Sequence, residues 1–371
     1  MKTASTHLAI FIPALNGGGA EQSMLKLADG FARRGYRVDL VLVHRAGPYL
    51  ADVPDSVRLI VLNSSRDLFS LMPLVRYLRR ETPEVLLSGL HTNIIALGAK
   101  RLARVPTRVV VSERNTLSQN VKHYSRDVRL RLVPHLVKWV YPWADAVVAV
   151  SNGVAADLAR ITGIPDQRIK VIYNPVVTLG LKRKAQEALE HPWFGSGTPP
   201  VVLAVGRLTP QKDFSTLITA FAQVRRVRPV RLLILGEGSE RTKLESLVCD
   251  LGLEAEVSMP GFACNPYPYM RRASAFVLSS CWEGLPGVLI EAMYCGLPLV
   301  ATDCPNGPRE ILDEGKYGRL VPVRDVNAIA QAIHDALDNK ILPPPQEGWQ
   351  RFEQEFIVDQ YCKVLFGEDP Q

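Results

Sequence analysis

Short apolar runs alternate with amphipathic helical segments along almost the whole chain, and the alternation occurs twice. In the first half, "HLAIFIPAL", "YRVDLVLVH", "VRLIVLN", "VLLSGL", "TRVVVSE" and "DAVVAVS" read as strands. Between the first two lies "NGGGAEQSMLKLADGFARRG", where Met24, Leu25, Leu27, Ala28 and Phe31 recur at helical spacing and Gly35 marks the stop. In the second half the series restarts with "VVLAVG", "VRLLILG", "EVSMPG", "AFVLSS", "PLVATD" and "GRLVPV", again with helical segments between. Strands separated by helices build parallel sheets covered on both faces, because a parallel crossover needs a helix to bring the chain back.

The two series are divided by "LEHPWFGSGTPP", residues 189–200, whose Pro and Gly content suits a linker. The chain is therefore expected to form two Rossmann-like, doubly wound α/β domains, at 1–185 and 198–345. A last amphipathic helix within 346–371, "GWQRFEQEFIVDQYCKVLFG", is expected to return to the N-terminal domain. Such sheets bind ligands outside the carboxyl ends of their strands. Two of them facing each other across a cleft would place the site in that cleft.

Composition removes several other classes. No stretch reaches the roughly 18 apolar residues that span a bilayer. The first residues could pass for a signal peptide, but the apolar run ends at Leu15 and a glycine loop with Glu21 follows in place of a cleavage site. The six cysteines show no CxxC spacing and all lie in the C-terminal half, which argues against a zinc site or a secreted disulfide framework and fits a cytoplasmic protein. Charge is uneven: residues 1–180 hold 24 Lys and Arg against 13 Asp and Glu, the remainder 20 against 24. The basic half calls for an acidic partner, such as a phosphate-bearing ligand, an anionic membrane face or nucleic acid.

Two stretches carry chemistry. "VVLAVGRLTPQKDF" puts Arg207 and Lys212 just past a strand's carboxyl end, where two cations suit a diphosphate. In isolation they are equally a solvated loop. "CWEGLPGVLIEAMYCGL" places Glu283 and Glu291 in an otherwise apolar segment. Pro286 suits the first turn of a helix that runs to about Tyr294 and closes at Gly296. The N–H groups of Gly287, Val288 and Leu289 then form an anion site, bracketed by the two acids. A nucleotide-sugar has that layout: ribose hydroxyls, two phosphates, sugar hydroxyls.

Residues 201–312 strongly resemble the C-terminal domain of glycosyltransferase family 4, the retaining GT-B transferases. The matching pieces are "GRLTPQKDF", "LLILGEGSERTKLESL", "VSMPGF", "SSCWEGLPGVLIEAMYCGLPLVATD" and "GPREIL", in the family's order and spacing. The resemblance implies that Glu291 holds the ribose, Glu283 the donor sugar, Arg207 and Lys212 the diphosphate, and the backbone near Phe262 the base, with uridine expected. It departs from many members at Leu285-Pro286; proline offers no N–H, so the phosphate donors start at Gly287. The N-terminal half resembles the family less sharply. There Gly18 and Gly19 would let a helix start approach the donor, and Arg114-Asn115 stand where many members have a His. That pair is similar to the subgroup adding N-acetylhexosamines to lipid-linked oligosaccharides. The resemblance implies a UDP-sugar donor, retention of configuration, a saccharide or lipid-diphosphate-linked acceptor, and no metal or other cofactor.

Residues 121–143 combine Lys122, Arg126, Arg129, Arg131 and Lys138 with Trp139, Tyr141 and Trp143. Either they meet an anionic membrane surface, making the protein peripheral on the inner face of the cytoplasmic membrane, or they are core helices with a basic outer face. Rival functions are a nucleotide-sugar epimerase, which would turn over donor without acceptor, and a basic nucleic-acid-binding protein. The compact motifs of the latter are missing, and nucleic acid is not an expected partner. No G-x-G-x-x-G opens a helix after a strand, which disfavours a dehydrogenase.

Overall fold

The computed structural model describes residues 6–118 and 128–367. The chain forms two compact units, Met1–Val176 with Phe352–Gln371, and Val177–Arg351. The first holds a seven-stranded sheet in the order β3-β2-β1-β4-β5-β6-β7. Its strands are β1 (His7–Ile12), β2 (Arg37–Leu42), β3 (Val57–Val61), β4 (Val85–Gly89), β5 (Arg108–Glu113), β6 (Ala146–Ala149) and β7 (Ile169–Val171). Every pairing is parallel, from His7 opposite Arg37 through Val147 opposite Ile169. All six residues of β1 are buried, as helices on both faces demand. Six of these strands are legible in the sequence; β7, only three residues long, is not.

The helix Gly19–Arg33 stops at Gly35, whose φ of 86° supplies the left-handed turn. The helix Gln354–Phe366 lies against it. A side chain at Gly30 would meet the Val358 Cγ2 at 2.6 Å, so the two backbones approach closely there. Ile357, Val358, Tyr361 and Leu365 enter the core formed by Leu8, Ile10, Met24 and Leu27.

The second unit repeats the plan with six parallel strands in the order β10-β9-β8-β11-β12-β13. They are β8 (Val201–Val205), β9 (Arg231–Leu235), β10 (Val257–Gly261), β11 (Ala275–Leu278), β12 (Leu299–Thr302) and β13 (Arg319–Val321). The chain enters this unit at Val177, before the Pro- and Gly-rich stretch. The reason is local packing: the Asn265 amide donates to the Lys184 carbonyl at 2.9 Å and to Glu187 at 2.7 Å, and Arg231 lies over the Trp193 ring at 5.0 Å. In both sheets the strand order reverses beside the first strand, between β1 and β4 and between β8 and β11. Loops leaving the carboxyl ends of those strands border each sheet's binding crevice.

Candidate active site

The loop after β8 and the loop after β11 flank the switch point of the second sheet, and they are laced together. The Cys281 N–H donates to the Gln211 carbonyl at 2.8 Å, the Gln211 amide to the Trp282 carbonyl at 2.8 Å, and the Ser279 hydroxyl to the Lys212 carbonyl at 2.7 Å. The lacing brings the Lys212 ammonium to 2.5 Å from the Glu283 Oε1, which also accepts from the Ser280 hydroxyl at 2.6 Å. Gly206 leaves room for this, since a Cβ there would stand 3.2 Å from the Lys212 Cε. Glu283 is 7% exposed; an acid so buried requires a partner, and Lys212 is one. Arg207 lies on the same loop and is exposed.

The helix Gly287–Tyr294 begins after Pro286, and Gly296 closes the following turn with φ 79°. The N–H of Leu289 is not open to a ligand: it donates to the Pro286 carbonyl at 3.0 Å, because the first turn tightens. The anion-facing donors at this helix start therefore reduce to Gly287 and Val288. Leu285 is buried, and a side chain at Gly307 would strike the Pro286 Cδ at 2.5 Å, so Gly307 and Leu285-Pro286 pack as one piece. Glu291 is also 7% exposed and accepts from the Tyr267 hydroxyl at 3.1 Å. Tyr267 escapes sequence reasoning; it follows β10 in "CNPYPYM", where nothing marks it as facing a helix 24 residues on. Phe262, just past β10, is exposed.

In the first unit Gly18 caps the helix Gly19–Arg33, but the space its missing side chain leaves is filled. A Cβ at Gly18 would lie 2.2 Å from a carboxylate oxygen of Glu21. Nothing stands within 4 Å of a Cβ at Gly19. Thus Glu21 itself supplies an anion at this helix start, and Gly19 is the open position. At the end of β5, Asn115 is exposed while Arg114 points inward, 4% exposed. Arg114 donates to the Asn174 Oδ1 at 2.6 Å and to the Tyr361 hydroxyl at 3.5 Å, and its Nε is buried without a partner. Burial holds the Arg114 pKa below its ordinary value. His91 is exposed and pairs with Asp67; His123 lies outside the described residues.

Two parallel sheets of seven and six strands, each with its crevice edge lined in this way, constitute the GT-B glycosyltransferase fold. The model of the glycosyl transferases group 1 matches residues 187–351, and that of Glycosyltransferase Family 4 matches residues 17–178. The chain belongs to this glycosyltransferase family and is a glycosyltransferase. It is 29% identical over 351 residues, 90% of this chain and 91% of the relative, to the Campylobacter jejuni N-acetylgalactosamine-N,N'-diacetylbacillosaminyl-diphospho-undecaprenol 4-alpha-N-acetylgalactosaminyltransferase. It is 28% identical to the lipopolysaccharide core biosynthesis glycosyltransferase LpsE of Rhizobium meliloti, over 94% of this chain and 96% of that one. Among solved structures it resembles Anabaena HepE, crystallised with UDP and glucose, with a TM-score of 0.76 at 22% identity over 96% of this chain and 98% of that one.

Proposed function

We propose that this enzyme transfers a hexose or N-acetylhexosamine from a UDP-sugar, with retention, to a lipid-diphosphate-linked saccharide in bacterial glycan biosynthesis. The observation that carries the reading is the pair Lys212–Glu283, held at 2.5 Å at the switch point of the second sheet beside Arg207. Glu291 and Tyr267 receive the ribose hydroxyls, and the backbone near Phe262 receives the base. The diphosphate lies on Arg207, Lys212 and the N–H groups of Gly287 and Val288, and Glu283 holds the sugar. As the bond from the sugar's C1 to the diphosphate oxygen breaks, negative charge develops where those cations and dipoles stand. The acceptor hydroxyl attacks C1 from the same face and passes its proton to the departing phosphate oxygen. The carboxyl edge of the first sheet, with the exposed Asn115, serves the acceptor, whereas Arg114 is turned inward onto Asn174 and Tyr361.

The names of the Campylobacter and Rhizobium relatives support a glycan acceptor, and the UDP bound by HepE supports the donor. The test is a screen of UDP-sugars against lipid-linked saccharides, with and without chelator. Labelled lipid product formed at an unchanged rate in excess chelator is expected. Restoration only by added Mg²⁺ or Mn²⁺ would refute the claim that protein cations suffice. Donor conversion with no acceptor present would replace transfer by epimerisation.

The same reading places the protein on an anionic membrane surface. Among the described residues no helix is long and apolar enough to cross a membrane. Lys122 and Arg126 lie outside the described residues, as do the side chains of Arg129 and Arg131. On the rest of that segment Trp139 is 74% exposed, Leu136 and Trp143 are also exposed, and Arg101 lies over the Trp143 ring at 4.2 Å. Apolar side chains beside basic ones suit the headgroup boundary. Replacing Leu136 and Trp139 by Ser is expected to cost about 2 kcal/mol of binding to anionic vesicles, roughly thirtyfold. Sedimentation with such vesicles measures it, and wild-type binding by the double variant would remove the membrane from the reading.

A further inference from the structure

Glu113 closes β5 at the carboxyl edge of the first sheet and is only 3% exposed. Its Oε1 accepts the backbone N–H groups of Arg114 at 3.1 Å and Asn115 at 3.2 Å, and its Oε2 accepts the Tyr141 hydroxyl at 2.7 Å. Tyr141 in turn accepts from the Asn93 amide at 2.9 Å, which also donates to the Ser112 carbonyl at 3.2 Å. The Asn93 Oδ1 is buried with no partner. Asp39, a fully buried acid of this unit, is bound by Arg58 through two bonds of 2.7 and 2.5 Å, by Tyr77 and by His7. Among the described residues Glu113 has neutral donors only and no cation pairs with it. A buried acid left without a counter-ion is costly, and a fold that needed only packing here would be served by a neutral amide.

We propose that Glu113 is a positioning residue for glycosyl transfer: its ionised carboxylate, by holding the N–H groups of Arg114 and Asn115 on one oxygen and Tyr141 on the other, sets the turn that presents Asn115 at the sheet edge. This rests on the reading of that edge as the acceptor side. Protonation reverses the bond on the Tyr141 side and weakens the two N–H bonds on Oε1, which lose the carboxylate's charge. Oε1 is filled by two N–H groups, so the proton goes to Oε2, where Tyr141 now donates. The Tyr141 hydrogen must turn away, and the unpartnered Asn93 Oδ1 can take it only if the amide rotates and releases the Ser112 carbonyl. Among the described residues, the other charges that bear on Glu113 are those of Asp157 and Arg114. Asp157 faces Glu113 from the helix Asn152–Thr162 and is itself bound by Arg160 and the Ser118 N–H; Arg114 is turned toward Asn174 and Tyr361, with Glu21 beyond it. Burial, opposed by the three donors, pushes Glu113 up to about 7, so this rearrangement falls near neutral pH.

The experiment measures kcat and the KM of donor and acceptor between pH 6 and 8 for the wild type, Glu113→Gln, Tyr141→Phe and Asn115→Ala, with melting curves as the folding check. Wild-type kcat/KM for acceptor is expected to rise about tenfold over that range, following an ionisation near 7. Glu113→Gln should raise acceptor KM at least tenfold, flatten the rise and leave donor KM alone. Tyr141→Phe, which keeps the carboxylate but removes one donor to it, should move the rise to higher pH with the same upper plateau. A Glu113→Gln enzyme with the wild-type pH rise and acceptor KM would overturn the proposal while Asn115→Ala still impaired the acceptor. If neither Asn115→Ala nor Glu113→Gln changes acceptor KM, the acceptor-side reading fails and the positioning role goes with it.

Discussion

Lys212→Ala is expected to lower kcat for transfer by a factor of about 100 to 1,000, the usual cost of removing one preorganised donor to developing charge. The loss should appear in kcat more than in donor KM, because the phosphate's charge grows mainly as the C1–O bond breaks. The geometry adds a consequence that the motif alone does not carry. Lys212 and Glu283 are a largely buried pair, their side chains 15% and 8% exposed. Truncating either partner strands the other, at a stability cost of about 3 kcal/mol. Alanine variants therefore lose activity and melt earlier, and activity alone cannot separate the two effects. Glu283→Gln separates them, because its amide oxygen still accepts from Lys212 and Ser280 while the charge is gone. It is expected to melt within a few degrees of the wild type and still to lose transfer by about 100-fold. Steady-state kinetics beside thermal melts decide the matter. Full turnover by folded Lys212→Ala would take this residue off the diphosphate.

The sequence made the two-sheet plan readable because parallel strands buried on both faces appear as continuous apolar runs. Where the run shrinks to Ile169–Val171, that signal vanishes, and the seventh strand is found only by its pairing with Val147 and Ala149. The helix at Gly287–Tyr294 was legible from Pro286 and Gly296, but its bond from Leu289 to Pro286 was not, since propensity does not say how a first turn tightens. The distance between Lys212 and Glu283 is a product of strand order, which places β8 beside β11 although 71 residues separate the two side chains. Tyr267 on Glu291 and Asn93 on Tyr141 are hidden for the same reason: each bond joins separate elements of one unit. Gly18 shows the opposite error. A glycine before a helix reads as an opening for a ligand, yet here Glu21, three residues on, folds back into the gap.

Glu113→Gln is expected to be more stable than the wild type at pH 8 and nearly equal to it at pH 5. The folded state raises this carboxyl from 4.5 to about 7. Between those values the folded chain holds a proton that the unfolded chain has released, so wild-type stability falls as pH rises through the window. Above about pH 7 the full penalty applies, about 3 kcal/mol for a shift of this size. Glutamine carries no charge into the site and avoids it, less whatever the altered bond to Tyr141 costs. In a unit of this size the gain corresponds to about 5–10 °C in its melting temperature. Asp39 provides the internal control with the opposite sign. Burial would raise it, but the bonds from Arg58, Tyr77 and His7 prevail and hold it below its ordinary value. It therefore stabilises the fold above the unfolded carboxylate range, and that contribution fades as pH falls in both proteins alike. Melting curves of wild type and variant should thus coincide on the acid side and part between about pH 5 and 7. Curves that stay parallel across the whole range would mean that Glu113 ionises at its ordinary pH and that its burial is met by bonds already sufficient for the charge.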